Sequence, residues 1–298
     1  MQSDRPLAGI ALMLLFCLLA PLADSMAKLI GAQIALLSLV TLRFAAQAVI
    51  LLPVVWTTGR SLRLPARAWR LSLIRTLLHI AGIALMFLAL RHLPLAEAIA
   101  IAYVMPFILL LLGWLLLDEE VGMRRLAACA VGFSGTLMVV QPSFADVGAP
   151  ALLPLAVAVV FALFMLVTRQ LSQLADPIEL QAVSGLIALA LLLPAVALLS
   201  AIDGAPALPA LSQTRLWGLL AALGALGTLS HLVMTWALRF APSATLAPVQ
   251  YLEIPFATLI GLAVFGDFPN GLALGGIAVT MGAGLYIVLR ERALSKAR

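Results

Sequence analysis

Seven ionisable side chains interrupt otherwise apolar runs of this chain: Asp24, Arg43, Arg75, His79, Glu97, His231 and Glu253. Such a group is expensive to bury, so it is paired with another polar group or lines a cavity. Arg43 carries the planar fork that grips a carboxylate through two parallel hydrogen bonds; equally, it could tie helices together in an ion pair with Asp24 or Glu97. His79 and His231 could bind a carboxylate or carry protons near neutral pH, or each could be a neutral ring bonded to a nearby backbone. The densest polar cluster is the segment PVQYLEIPF, residues 248–256. Pro248 and Pro255 each remove a backbone donor and free a carbonyl to face a cavity or gate. Gln250 and Glu253 lie three apart, hence on one helical face, and Tyr251 reaches an adjacent stripe. Glu253 could hold a substrate amine or a coupling proton, or be a neutral carboxyl bonding two helices. In the segment AYVMPF, Tyr103 and Pro106 stand at i and i+3. Pro106 and Pro255 are read as hinges. Met105, Phe107, Trp114, Ser230 and Trp236 are weaker lining candidates.

These residues need elements to hold them. Of the 298 residues, 64% are hydrophobic and 10% charged, whereas a soluble domain carries about a quarter charged residues. Thirty-one Lys, Arg, Asp and Glu residues cannot wet a globule of this size. Two cysteines, Cys17 and Cys129, exclude a disulfide scaffold. The net charge of +5 is spread too thinly for a nucleic-acid face. An all-α polytopic membrane protein remains. A helical span needs about 20 mostly apolar residues, and ten such runs occur, at about 6–28, 35–57, 70–90, 94–117, 122–140, 150–170, 178–200, 214–239, 243–265 and 270–290. The first is read as a retained span rather than a cleaved leader, because its apolar stretch exceeds a signal h-region. Thirteen of the eighteen Lys and Arg residues fall on the side where the chain begins, and three (Lys28, Arg91, Arg215) on the other. By the positive-inside rule both termini are cytoplasmic, in a bacterial inner membrane. On this placement Asp24 and Glu97 lie about one turn from the outer face and Arg43 about two. Arg75 lies about a turn from the inner face, within reach of snorkelling, and His79, His231 and Glu253 lie nearest the middle.

The chain also matches itself at an offset of about 149 residues. Pro106-Phe107 pairs with Pro255-Phe256, Asp118 with Asp267, Gly122 with Gly271 and Gly135 with Gly284. With one residue of slippage, Met86, Arg91 and Pro94 pair with Met234, Arg239 and Pro242. The expected units are residues 1–145 and 146–298, each with five spans. An odd count makes the two insert with opposite topology, an architecture that recurs in transporters with the site near the midplane between repeats.

Two segments, PLAEAIAIAYVMPFILLLLGWLLLDEEVGMRRLAACAVGFSGTLMVV and PSATLAPVQYLEIPFATLIGLAVFGDFPNGLALGGIAVTMGAGLYIVL, carry a family likeness. Each has a Pro-containing helix, a short acidic turn and a Gly-rich helix. In this the chain resembles the drug/metabolite transporter superfamily and its ten-helix bacterial branch, the EamA-type exporters of amino acids and related metabolites. The resemblance implies transport by alternating access, without implying an energy source. The small multidrug-efflux relatives use a Glu within their first helix, where this chain has no acid until Asp24.

The expected function is therefore export or exchange of small metabolites, amino acids foremost, with His79, Tyr103, Gln250, Tyr251, Glu253, His231 and Arg43 at the substrate. The alternatives are proton-coupled efflux of cationic drugs or quaternary ammonium compounds, and a non-transporting accessory subunit or lipid-modifying enzyme. No HExxH, GxSxG or Walker motif occurs, so no enzyme, metal or cofactor is expected. The expected partners are the substrate, the bilayer and a coupling proton. The Gly271-x-x-x-Gly275 pattern suits close helix packing, within a monomer or, alternatively, a dimer.

Overall fold

Apolar runs of two dozen residues leave backbone groups no partner but each other, so each run closes into helix. The structure, a computed structural model, describes residues 5–118, 122–140, 148–203, 208–210, 212–266 and 271–296. The helices are α1 (Pro6–Ile30), α2 (Leu36–Thr57), α3 (Ala66–Leu90), α4 (Leu95–Ala102), α5 (Met105–Leu117), α6 (Met123–Val140), α7 (Leu152–Ser172), α8 (Pro177–Asp203), α9 (Thr214–Phe240), α10 (Ser243–Gln250), α11 (Glu253–Phe265) and α12 (Gly271–Lys296). A single 3₁₀ turn at Ala149–Ala151 leads into α7. Among the described residues all regular structure is helical.

Twelve helices make ten spans, because α4–α5 and α10–α11 are each one span broken in the middle. Eight spans are long and apolar enough to cross a bilayer outright, and α6 and α12 contain shorter apolar stretches at 126–138 and 274–286. The fourth and ninth spans fall where expected, and each is interrupted midway. The cause is local. Pro106 and Pro255 cannot donate to the carbonyls four residues earlier, and their rings crowd them, so the preceding helix stops at Ala102 and at Gln250.

The break also sharpens the repeat. α4 and α10 are both eight residues long, α5 and α11 both thirteen, and all start 148 residues apart. At this offset Tyr103 is the counterpart of Tyr251, and each sits at the end of its half-helix. Asp118, in the left-handed conformation that ends α5 (φ 50°), corresponds to Gly266, which ends α11 the same way (φ 75°). The one-residue difference from the Pro106–Pro255 spacing is absorbed within the first turn of α11. Asp267 and the expected 145/146 boundary lie outside the described residues.

Packing follows the same symmetry. α1 packs most extensively on α9, and its repeat equivalent α7 packs on α3. α2 packs on its equivalent α8, and α6 on its equivalent α12. These reciprocal pairings are those of two inverted five-helix repeats. The α6–α12 seam is close because Gly135 has no side chain: a Cβ there would lie 2.9 Å from the Gly276 carbonyl oxygen. Leu, Val and Ile side chains cover much of the exposed surface, and exposed Trp56 and Trp69 flank the loop after α2, as at a membrane interface.

Candidate functional site

The two breaks bring one residue from each repeat together. Tyr103 ends α4, and Glu253 begins α11. The Tyr103 hydroxyl donates to the Glu253 carboxylate (Oε2), and both side chains are buried. The Tyr103 and Tyr251 rings lie 5.9 Å apart, so the paired breaks pack on each other.

Arg43, on α2, is 2% exposed. Its Nη1 donates to Gln47 Oε1 (2.8 Å) and its Nη2 to the Gly227 carbonyl (2.6 Å). His231 Nδ1 lies 3.2 Å from the same Nη2 and 2.9 Å from the Gly227 oxygen. Among the described residues Arg43 has no carboxylate within ion-pair distance. The Glu97 side chain lies outside the described residues. His231 in turn packs against His79, with ring centroids 4.3 Å apart, and His79 stacks on Phe164 at 4.6 Å.

These groups surround one cavity of about 80 Å³, counted as the space open to the centre of a water. That is room for several waters or a small polar headgroup. Asp24, Arg43, Tyr103, Ser230, His231 and Glu253 supply its polar lining. Phe16, Met86, Phe87, Met105 and Phe161 supply much of the apolar remainder. Of the seven expected substrate residues, four line the cavity: Arg43, Tyr103, His231 and Glu253. His79, Gln250 and Tyr251 are fully buried and do not line it. Gln250 Nε2 instead points at the sulfurs of Met165 (3.2 Å) and Met13 (3.8 Å). The expected third, fourth, eighth and ninth spans all contribute, joined by α1, α2 and α7. Asp24, Phe16, Phe87 and Phe161 were not expected at the site. Asp24 carried a signal, an acid in an apolar run, whereas a phenylalanine in an apolar chain carries none.

Arg75 corrects an expectation. It does not snorkel but is completely buried. α3 begins at Ala66, so Arg75 stands nine residues, or about 14 Å, inside the helix and faces the bundle interior. No group of three or more His, Cys, Asp or Glu suited to a metal occurs among the described residues.

The EamA-like transporter family matches this chain twice, over residues 7–141 and 149–290. The chain belongs to the EamA-like transporter family. It is 28% identical to a riboflavin transporter of Vibrio cholerae, over 98% of this chain and 96% of that one. It is 25% identical to an S-adenosylmethionine uptake transporter of Rickettsia bellii, covering 97% and 96% of the two chains. A solved crystal structure superposes with a TM-score of 0.72 at 23% identity, covering 95% of this chain and 96% of that one, and shares its fold. This EamA-like protein is thus a multi-pass membrane transporter of small metabolites, not an enzyme.

In the transporter, polar bonds tie the helix ends together on the face where α1 begins. There Asp176 accepts from Arg60 (3.2 Å) and pairs with Arg239 (3.8 Å). Arg169 Nη1 donates to the Leu238 carbonyl, and Gln173 Nε2 to the Arg239 carbonyl (3.1 Å). The Arg5 amide donates to Phe240 O (2.8 Å). These bonds join the loop after α2, the α7–α8 turn and the end of α9 into one latch.

Proposed function

We propose that this EamA-like transporter moves small zwitterionic metabolites, amino acids foremost, by alternating access around the cavity between its repeats. On this reading it works in a bacterial inner membrane, with both termini cytoplasmic, as a monomeric exporter or exchanger. The observation that carries the reading is that one cavity is lined by both Arg43, which among the described residues has no carboxylate within ion-pair distance, and two carboxyl side chains, Glu253 and Asp24. An α-carboxylate suits the guanidinium fork, and an α-ammonium suits Glu253 and Asp24. S-adenosylmethionine, named for the Rickettsia relative, carries such an α-amino-acid group. Pro106 and Pro255 act as hinges at the breaks. His79 and Tyr251 hold His231 and Tyr103 in place from behind, and Gln250 packs beside them. Glu253 accepts the coupling proton when transport is proton-driven.

Efflux of organic cations is the second reading, favoured by the two carboxyls among Phe16, Phe87 and Phe161; a buried arginine in the same cavity repels such a cation. The test is a substrate panel in proteoliposomes: amino acids, S-adenosylmethionine, riboflavin and tetraethylammonium, with and without a pH gradient. Saturable amino-acid flux is expected, falling about tenfold or more in both Arg43→Lys and Glu253→Gln, as for loss of a buried charge-assisted hydrogen bond. Preferred flux of tetraethylammonium or riboflavin, unimpaired by Arg43→Lys, would overturn the proposal.

A further inference from the structure

Beneath the cavity, on the side of the latch, lies a second buried arginine that the transport site does not use. Arg75 is fully buried on α3, yet every hydrogen-bond acceptor it meets is neutral. Its Nε donates to Thr168 Oγ1 (2.9 Å), Nη1 to Ser184 Oγ (2.7 Å), and Nη2 to Gln181 Oε1 (3.2 Å) and Thr235 Oγ1 (3.4 Å). The guanidinium also lies over the Phe164 ring, 4.8 Å from its centroid. Among the described residues no carboxylate pairs with it. A purely structural arginine at this depth is normally matched by an acid, because an unpaired buried charge is strongly destabilising. This one is solvated by neutral hydroxyl and amide side chains, whose oxygens accept from the guanidinium and whose O–H and N–H groups are the kind that donate to an anion.

The cluster has donors left over. Gln181 Nε2, Ser72 Oγ and both His79 nitrogens, one of which carries the ring proton, are buried without a hydrogen-bond partner. Gln181 presents its amide to Arg75, and Ser72 lies three residues before Arg75, on the same helical face. Beside an arginine with no carboxylate partner among the described residues, these free donors would suit a negatively charged acceptor.

The cluster also connects to the cavity. Arg43 donates to Gln47, whose Nε2 donates to the Gln181 carbonyl (2.7 Å), and the Gln181 side chain meets Arg75. Alongside runs the aromatic column of His231, His79 and Phe164, which spans from Arg43 to Arg75. The ligands of Arg75 come from α7, α8 and α9, and Arg75 itself from α3, so the cluster sits at the interface between the repeats.

We propose that Arg75, with Thr168, Gln181 and Ser184, is a second anion station, which takes the carboxylate of the transported solute once the latched face opens. The solute's acid group then passes from Arg43 to Arg75, with the His231–His79–Phe164 column as the partition between the two. This deepens the zwitterion reading above and rests on it.

The test reads the station without transport. In the full chain with Cys17 and Cys129 replaced by alanine, Ser184→Cys is exposed to membrane-impermeant thiosulfonate reagents from either face of sealed vesicles. One reagent is anionic (sulfonatoethyl) and one cationic (trimethylammonioethyl). Reaction is expected from the latched face only. The anionic-to-cationic rate ratio is expected to be kept in Arg75→Lys and to fall roughly tenfold in Arg75→Gln, as for removal of one nearby charge. Acetate should slow the anionic reagent, and equal chloride should not; this arm decides the matter when Arg75→Gln fails to insert. A thiol that never reacts in correctly inserted protein, that reacts only from the opposite face, or whose ratio and acetate response ignore Arg75 makes the arginine a fixed strut and overturns the proposal. Failure of the amino-acid panel with a positive result here would instead remove the substrate class and leave an anion station.

Discussion

At the scale of single residues, the seat of Arg43 depends on a missing side chain. A Cβ at position 227 would lie 2.5 Å from Arg43 Nε and 3.0 Å from its Cζ, and the Gly227 carbonyl is one of the acceptors holding the guanidinium. Gly227→Ala therefore moves Arg43 out of the cavity wall, because neither the α9 backbone nor a fully packed arginine yields by an ångström. The expected outcome is an approximately tenfold rise in KM for the transported solute in proteoliposomes, given an overpacking strain of about 1–3 kcal/mol. Gly218→Ala, which meets nothing within 4 Å on the same helix, is the control and should leave KM unchanged. Arg43, Tyr103, His231 and Glu253 were legible in the sequence because polar groups stand out in an apolar run. Gly227 and the cavity phenylalanines were not, because their work is done by shape. Arg75 was misplaced in depth for a related reason. α3 starts in the polar stretch around Arg67 and Arg70, and hydropathy alone begins the span four residues late.

At the scale of elements, the latch described above consists of five bonds, and Asp176 carries two of them. It pairs with Arg60 and Arg239 while also capping α8, its Oδ1 accepting from the Ile178 amide at 2.9 Å. Asparagine caps helices as well as aspartate does, so Asp176→Asn removes the ion pairs and keeps the helix start. Partly exposed pairs are each worth about 0.2–1 kcal/mol, so with both lost the closed state should lose roughly two- to thirtyfold in population. Spin labels at Ser61→Cys and Gln173→Cys should report this as a longer-distance component, present in Asp176→Asn and absent from the parent; an unchanged distribution would mean that the latch does not set the closed state. The long helices were legible to within a few residues, because each follows its apolar run. The breaks after Ala102 and Gln250 were not. Hydropathy is unchanged across Tyr103 and Val104, and a proline stops the turn before it rather than at its own position. For the same reason the prolines suggested a 149-residue offset where the half-helices keep 148.

At the scale of the whole molecule, the inverted repeats leave orientation undecided by fold alone, since a pseudo-twofold in the membrane plane makes the two faces near-equivalent. Charge has to break the tie. The sequence assigns thirteen of the eighteen basic residues to the side where the chain begins and three to the other, and on the reading proposed above that side is the cytoplasm. Two consequences follow for measurement. A green fluorescent protein fused after residue 298 should fluoresce, and alkaline phosphatase fused at the same point should be inactive. Phosphatase fused after Gln33, in the first loop of the opposite face, should be active. The bias is also redundant. Replacing Arg60, Arg63, Arg67 and Arg70 with glutamine still leaves nine basic residues against three, so the reporters should keep their pattern. If that fourfold variant inverts, local charge at the α2–α3 loop rather than the sum over the chain orients the protein. The two repeats would then insert as separate decisions instead of one.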